Sequence, residues 1–352
     1  MSWRRVSIGL WLAAVAVVIA LITIGLAIPG LLRPASKQLS TAAGSGGSFP
    51  RASSAAGHPS PTRHPHRLRP IGRRRQHGFP GASDTGVPVD TRFRTVPGQV
   101  KSGPGWAYDP RGWVRVYGNG AVLSGLAIPY NVSVTGSNVT IRNVKITVGG
   151  ANSIAIGLRH AHNVTIEDST ISGLNTRTGR MMTGVKDVYG DATGVRVLYD
   201  DISKFETGVQ VETGLIEDNY IHDPGFLPGD HTNGVTSNGG VTTLLTISHN
   251  TILINRGQTD AIGLFEDHGV QQNRRITDNL LAGGSYAIYA GQKQGGPPTS
   301  KIVITGNHIS TLFYAHGGNY GCAAHFDSRG RENIWSDNTW NTTSVPDFSS
   351  CD

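Results

Sequence analysis

The chain has 352 residues, a formal net charge of +7, only 16% charged residues, 47 glycines and two cysteines. A basic total invites a nucleic-acid reading, but residues 1–83 hold eleven Lys or Arg and no acid, while residues 84–352 hold twenty basic and twenty-four acidic residues, a balance of 20 − 24 = −4. The folded part is therefore mildly acidic, and composition excludes a specific nucleic-acid partner for it.

Arg4 and Arg5 precede Val6 to Leu32, a run of 27 residues without a charge. That length spans a bilayer with some tilt and exceeds the usual apolar region of a cleavable leader. Residues 1–5 are expected to be a cytoplasmic stub and 6–32 a transmembrane signal anchor, which makes this a single-pass cell-membrane protein with its main domain extracellular. Secretion after cleavage is the alternative. Residues 33–83, rich in Pro, Ser, Gly, His and basic side chains, are expected to form a disordered linker. Within it Arg73-Arg74-Arg75 can touch anionic lipid or wall polymer.

Residues 84–352 are expected to be one domain. Its start, Trp106 to Trp113 with Tyr108 between, is rich in aromatics and is expected to cap exposed strand edges. A phrase, apolar-x-apolar-x-x-Asn-x-apolar, then returns down the chain. It ends at Ile221, Ile252, Leu281, Ile309 and Trp340, with weaker copies ending at Ile146, Ile171 and Ile202. Its third position falls on Ile141, Ile166, Val197, Ile216, Ile247, Ile276, Ile304 and Trp335, at gaps of 19 to 31 residues. A repeat of that length built from strand-like units is a solenoid, because one unit cannot bury its apolar face alone. A second phrase keeps time with it, at 152–156, 183–186, 207–211, 233–236, 260–264 and 286–290. Its alternation is that of half-buried strands. Together the two predict an all-β chain, a right-handed parallel β-helix of about eight coils.

Stacked coils place identical side chains about 4.8 Å apart, so Asn219, Asn250, Asn279, Asn307 and Asn338 can bond up and down a ladder, with Asp200 and Ser169 continuing it less well. These are structural residues. Cys322 and Cys351, both near the carboxyl end, are expected to form one disulfide in an exported protein.

Alternation in the second phrase gives buried positions Ile154, Val185, Val209, Val235, Ile262 and Ile288. It gives outward neighbours Ala155, Lys186, Gln210, Thr236, Gly263 and Tyr289, with His325 as the next member. Around this face His231, Lys293, Asp260 and Glu266 are the candidate catalytic groups. Elimination next to a uronate carboxylate needs a base and a donor or cation for the enolate, and hydrolysis needs two facing carboxylates, Asp230 with Asp260 or Glu266 with Asp327. Asp230, Asn233, His268, Gln292, Tyr289, His325 and Arg329 are candidate substrate contacts. Glu212, Asp267 and Asp327, joined by Glu266, offer the oxygens that Ca²⁺ takes.

From about residue 79 to 345 the sequence resembles the pectin-lyase-like superfamily, and within it exported bacterial β-helix repeat proteins. The phrases that carry this are Phe79-Pro80-Gly81 … Thr85-Gly86-Val87-Pro88 and Asn138-Val139-Thr140-Ile141-Arg142-Asn143. The resemblance implies the fold and leaves the chemistry open, since such folds carry lyases, hydrolases and binders. Members often have His-x-Asp-Gly-Ile-Gln on a middle coil. Here His231 and Gly234 match, while Asn233 replaces the acid and Thr236 the glutamine. The expected activity is binding, or cleavage by β-elimination or hydrolysis, of an extracellular acidic polysaccharide. The alternatives are a non-catalytic glycan or cell-wall binding module and a structural spacer or adhesin.

Overall fold

The computed structural model describes residues 78–340 and the backbone of 343–345. The expected anchor, nearly all of the expected linker and Cys351 lie outside the described residues. Among the described residues no helix is long and apolar enough to cross a membrane.

Among the described residues all regular structure is β. Each coil gives one short strand to each of three parallel sheets in turn: Asn131–Val134 to the first, Thr140–Arg142 to the second and Lys145–Thr147 to the third. The chain then returns to the first sheet as Gly150–Leu158. The result is a parallel β-solenoid. Its second sheet has nine strands, so it has nine coils where the repeat predicts about eight. The additional one is the first, Trp113–Val116, Val122–Ser124 and Leu126–Ile128. It escapes the Asn phrase because Leu126 stands where later coils carry Asn.

Apolar side chains from all three sheets fill the lumen. Ile141, Ile166, Val197, Ile216, Ile247, Ile276 and Ile304 form the buried second-sheet column, as the phrase predicts, with the half-buried Trp335 in register after them and Leu123, which the phrase misses, ahead of them. Ile146, Ile171, Ile202, Ile221, Ile252, Leu281 and Ile309 form the third. Burying one such side chain is worth about 1.5–3 kcal/mol, which only stacked coils achieve on both sides. Where the first sheet bends toward the third, the lumen narrows. A Cβ built on Gly208 or Gly234 would lie 2.8 Å from Ile221 Cγ2 or 2.3 Å from Ile252 Cγ2, so these glycines face inward. The same inner column continues in Ala261, Ala287 and Cys322.

The turn from second to third sheet is two residues long. Its first residue is left-handed, as at Asp218, His249 and Asp278, and its second is the ladder asparagine. Asn219, Asn250, Asn279, Asn307 and Asn338 are fully buried. Each accepts on Oδ1 the backbone N–H of the preceding coil, from Asp200 N on Asn219 (2.9 Å) to Asn307 N on Asn338 (3.0 Å). Each also donates from Nδ2 to a carbonyl of that coil, as Asn250 does to Ile216 at 2.9 Å.

The amino end is capped by Ser102–Gly103 and Trp106–Asp109, which pair antiparallel onto Trp113–Val116 and bury Trp106. Ahead of the cap, residues 78–96 run as a strap along the third sheet. Phe79 packs beside His249 and His308, Gly86 donates to the Tyr199 carbonyl, and Arg94–Thr95 pairs with the first coil. Pro80 is buried, so the packed chain starts ahead of Asp84, within the stretch expected to be linker.

Candidate functional site

The outer face of the first sheet carries one continuous column, fixed by strand register. It runs Arg115, Ser133, Gly157, Lys186, Gln210, Thr236, Gly263, Tyr289 and Ala324. Two members differ from the sequence reading. Ile156, not Ile154, pairs with Val185, and Gly157, not Ala155, faces out, because the nine-residue strand Gly150–Leu158 has an irregularity that shifts its register. At the other end Ala324 holds the place expected for His325.

The column is chemically divided. Its amino-terminal coils are cationic. Arg115 and Lys186 stand in it, and Arg159 lays its guanidinium over Gly157, donates to Ser133 Oγ at 3.3 Å and sits 5.9 Å from the Trp113 ring centre. Beside them an open depression of about 500 Å³ is lined by Ala107, Tyr108, Asp109, Pro110, Arg115 and Tyr117. Arg111 bonds Asp109 at 2.7 Å and holds that carboxyl down at about 2, so the single acid in the lining stays ionised and paired. The carboxyl-terminal coils are aromatic. Phe265 lies on Gly263, which leaves it room by lacking a Cβ; its ring centre is 5.4 Å from Tyr289, and Tyr289 stacks on His325 at 4.4 Å.

Of the four candidate catalytic groups, two meet the aromatic end. Burial first, then the charges of Asp260, Glu266 and Asp267, raise the Tyr289 phenol, which places three acids around one ring. Asp260 is 3% exposed, and burial pushes its carboxyl up to about 7 although Tyr286 N–H donates to it at 3.2 Å. Glu266 Oε2 and Lys293 Cβ both abut Gly296, and Glu266 Oε1 is buried without a hydrogen-bond partner. Lys293 itself is exposed. His231 does not join them. It is exposed, and its backbone N–H serves Glu206, whose carboxyl is raised by burial.

Several expected contact residues hold the fold instead. Asp230 is buried and grips Arg180 two coils away through both oxygens, with Arg180 Nε donating at 2.7 Å and Leu227 N–H at 2.6 Å. Arg180 also meets Glu206 at 3.0 Å. Asn233 takes the Asp260 N–H on Oδ1 at 3.3 Å and donates to the His231 carbonyl at 3.0 Å, so it is a turn residue of a short second ladder. Gln292 staples its own loop to Thr299 N–H at 2.9 Å, and His325 Nδ1 bonds the Gln292 carbonyl at 2.9 Å. His268 and Arg329 are exposed, outside the column.

The residues proposed for calcium do not fit it. Glu212 is buried and receives Ser237 Oγ (2.7 Å), Asn238 N–H (2.9 Å) and Gly239 N–H (3.1 Å). Asp327 accepts Arg329 N–H at 3.0 Å. Neither joins Asp267, and among the described residues no three His, Cys, Asp or Glu side chains are arranged to hold a metal.

Sequence reasoning missed Arg180, Arg159 and Arg274. Arg274, 1% exposed, donates to Gln271 Oε1 at 2.7 Å and to the Thr243 and Val241 carbonyls, and burial lowers it to about 10. Its position in an Arg-Arg pair gives no local signal of burial. The chain matches no family model, no curated protein and no solved structure.

Proposed function

We propose that the protein binds an acidic polysaccharide along the outer face of the first sheet, outside the cell membrane that residues 6–32 anchor it to. The solenoid is taken as the right-handed, pectin-lyase-like kind, since parallel crossovers favour that hand, with Cys322 and Cys351 pinning the last coil. One observation carries the reading: a single register-fixed column joins Arg115 and Lys186 to Tyr289, with Arg159 and Phe265 laid over its glycines Gly157 and Gly263. The coil repeat of about 4.8 Å is comparable to the rise of one hexose in an extended chain, so a glycan lying along the axis meets a new rung with each sugar. Cations meet carboxylates, and apolar ring faces meet the C–H faces of sugars. Local cations also answer the mild negative charge of the domain. The donor set gives calcium no part in this.

Calorimetric titration of the full chain with uronate-containing and neutral glycans tests it. Binding of the uronate glycans weakens with salt and falls roughly tenfold in Arg115→Ala/Lys186→Ala, as two solvent-accessible charge contacts of up to about 1 kcal/mol each imply. No binding across the panel, or equal binding by the variant, rejects the proposal.

Cleavage is the second reading, favoured by Asp260, whose carboxyl titrates at about 7 near Tyr289. A group poised there can give or take a proton at neutral pH. Its burial argues for local opening before contact. New reducing ends or unsaturated products from a bound glycan, lost in Asp260→Asn, support this reading; binding without product rejects it.

A further inference from the structure

Both seats of the strap rest on histidine–carboxylate pairs, the first in the turns leading into the third sheet and the second on that sheet itself. Under the first, His249 Nδ1 bonds Asp218 at 2.6 Å while its ring stacks with Phe79 at 6.0 Å. Under the second, Gly86 sits so close to Asp201 that an added Cβ would lie 2.9 Å from the Asp201 Cβ and 2.8 Å from Thr170 Oγ1. Asp201 Oδ1 in turn is 3.2 Å from His222 Nε2, and His222 Nδ1 is 2.9 Å from Asp223 Oδ2. Both nitrogens of one imidazole therefore face carboxylate oxygens. Two acceptors satisfy two nitrogens only when both carry hydrogen, so this geometry requires the imidazolium. Tyr220 stacks on the ring at 3.8 Å, which suits a cation.

We propose that His222 is a pH-sensitive latch for the strap: its cation fixes Asp201 beneath Gly86, and losing the proton loosens residues 84–88 from the third sheet. The groups facing the latch are Asp201 on the preceding coil, Tyr220 and Asp223 on its own and Leu253 on the next; the charged strap residue closest in sequence to Gly86 is Asp84, whose Oδ2 accepts Gly81 N–H at 3.3 Å. Lys204, whose backbone N–H donates to the Asp223 carbonyl at 2.9 Å, directs Nζ to Asn175 at 3.1 Å. Burial opposes charge on His222, but Asp201 and Asp223 together outweigh it and raise the imidazole above its ordinary 6.5. A raised histidine stabilises the docked strap below its ordinary value and loses that stabilisation as pH climbs through the raised one. The neutral ring can donate to only one carboxylate, leaving the other opposite a lone pair.

Amide hydrogen exchange of the full chain, corrected for intrinsic rates, reads the latch at Gly86 N–H, which donates to the Tyr199 carbonyl at 2.8 Å, and Val87 N–H, which donates to Thr170 Oγ1 at 3.2 Å. Protection at both falls roughly tenfold between about pH 6 and about pH 8.5, while ladder amides such as Asn250 stay constant. In His222→Gln the dependence is flat at the weaker level. Protection that is pH-independent in the natural chain, or pH-dependent alike in His222→Gln, overturns the proposal. Nitrogen chemical shifts of His222 followed against pH decide it independently of the variant's folding: a second protonated nitrogen that is lost only above the ordinary 6.5 supports it, and one lost at or below 6.5 overturns it.

Discussion

Asp200 Oδ1 accepts the backbone N–H of Ser169 at 2.7 Å, the bond that an asparagine makes one coil later. Its Oδ2 occupies the place of the Asn Nδ2, fully buried and without a hydrogen-bond partner. An oxygen there must face the carbonyl that the amide would donate to, unless it carries a proton. Burial accordingly pushes the Asp200 carboxyl well above its ordinary range, with Asp168 and Glu167 adding to it.

Asp200→Asn therefore completes the ladder. Because the folded-state value is raised, the natural chain is most stable below the ordinary carboxylate range and loses stability as pH rises through the raised value. The variant is more stable at neutral pH by about 1–3 kcal/mol, the scale of one buried polar group satisfied. Denaturant midpoints against pH check this, and the two curves converge in acid. A variant no more stable at neutral pH shows that the Asp200 proton costs nothing.

Asn279→Ala tests the ladder from the other side. Asn279 accepts Asn250 N–H at 2.9 Å and donates to Ile247 O at 2.9 Å and Asn307 Oδ1 at 2.9 Å. Removing the carboxamide orphans buried groups on two coils, at about 1–3 kcal/mol for each one left unsatisfied. A loss of about 3–5 kcal/mol is expected by denaturation, with near-neutral cost for the same change at exposed Asn152.

Asp230→Ala strands a guanidinium that is 6% exposed, leaving Arg180 with Glu206 and the Ala151 carbonyl. Breaking a buried pair by removing one partner costs about 3–5 kcal/mol. Because Asp230 also holds Leu227 N–H, cleavage within residues 223–232 should quicken well before global unfolding. Limited proteolysis reads that directly, and an unchanged cleavage rate would show that the ion pair does not hold the loop.

The coil register was legible because one asparagine per turn is needed at one backbone position, and that need writes itself into sequence at a fixed offset. It failed at Leu126, where an apolar residue takes the ladder place and leaves only burial as a signal; at Val144 the flanking Ile141 and Ile146 still marked the coil. The two-residue slip at Ile154 arose because a bulged nine-residue strand still reads as clean alternation. Asp230 and Glu212 looked like groove residues because their partners, Arg180 and the Asn238–Gly239 amides, lie two coils or one coil away. Partners distant in the chain have no local pattern, so an acid that pins a loop and an acid that binds a ligand look alike in sequence.

Asp260 follows Asn233 in the short second ladder, and the same chemistry governs it. Its carboxyl, raised to about 7, keeps its proton in the fold where the unfolded chain has lost it. Stability should decline from about pH 4 to about pH 7 by up to about 4 kcal/mol and level off above, since the folded and unfolded chains part by about 1.4 kcal/mol for each pH step across that window. Asp260→Asn keeps an acceptor for Tyr286 N–H, abolishes that slope and stabilises the fold at neutral pH. The same variant separates structure from chemistry at this face. If glycan binding persists while stability rises, Asp260 is a ladder residue with a displaced titration, and the cations at the other end of the column carry recognition. If binding falls although the fold is firmer, the carboxyl reaches the ligand, and the aromatic end of the face is the place to look for turnover.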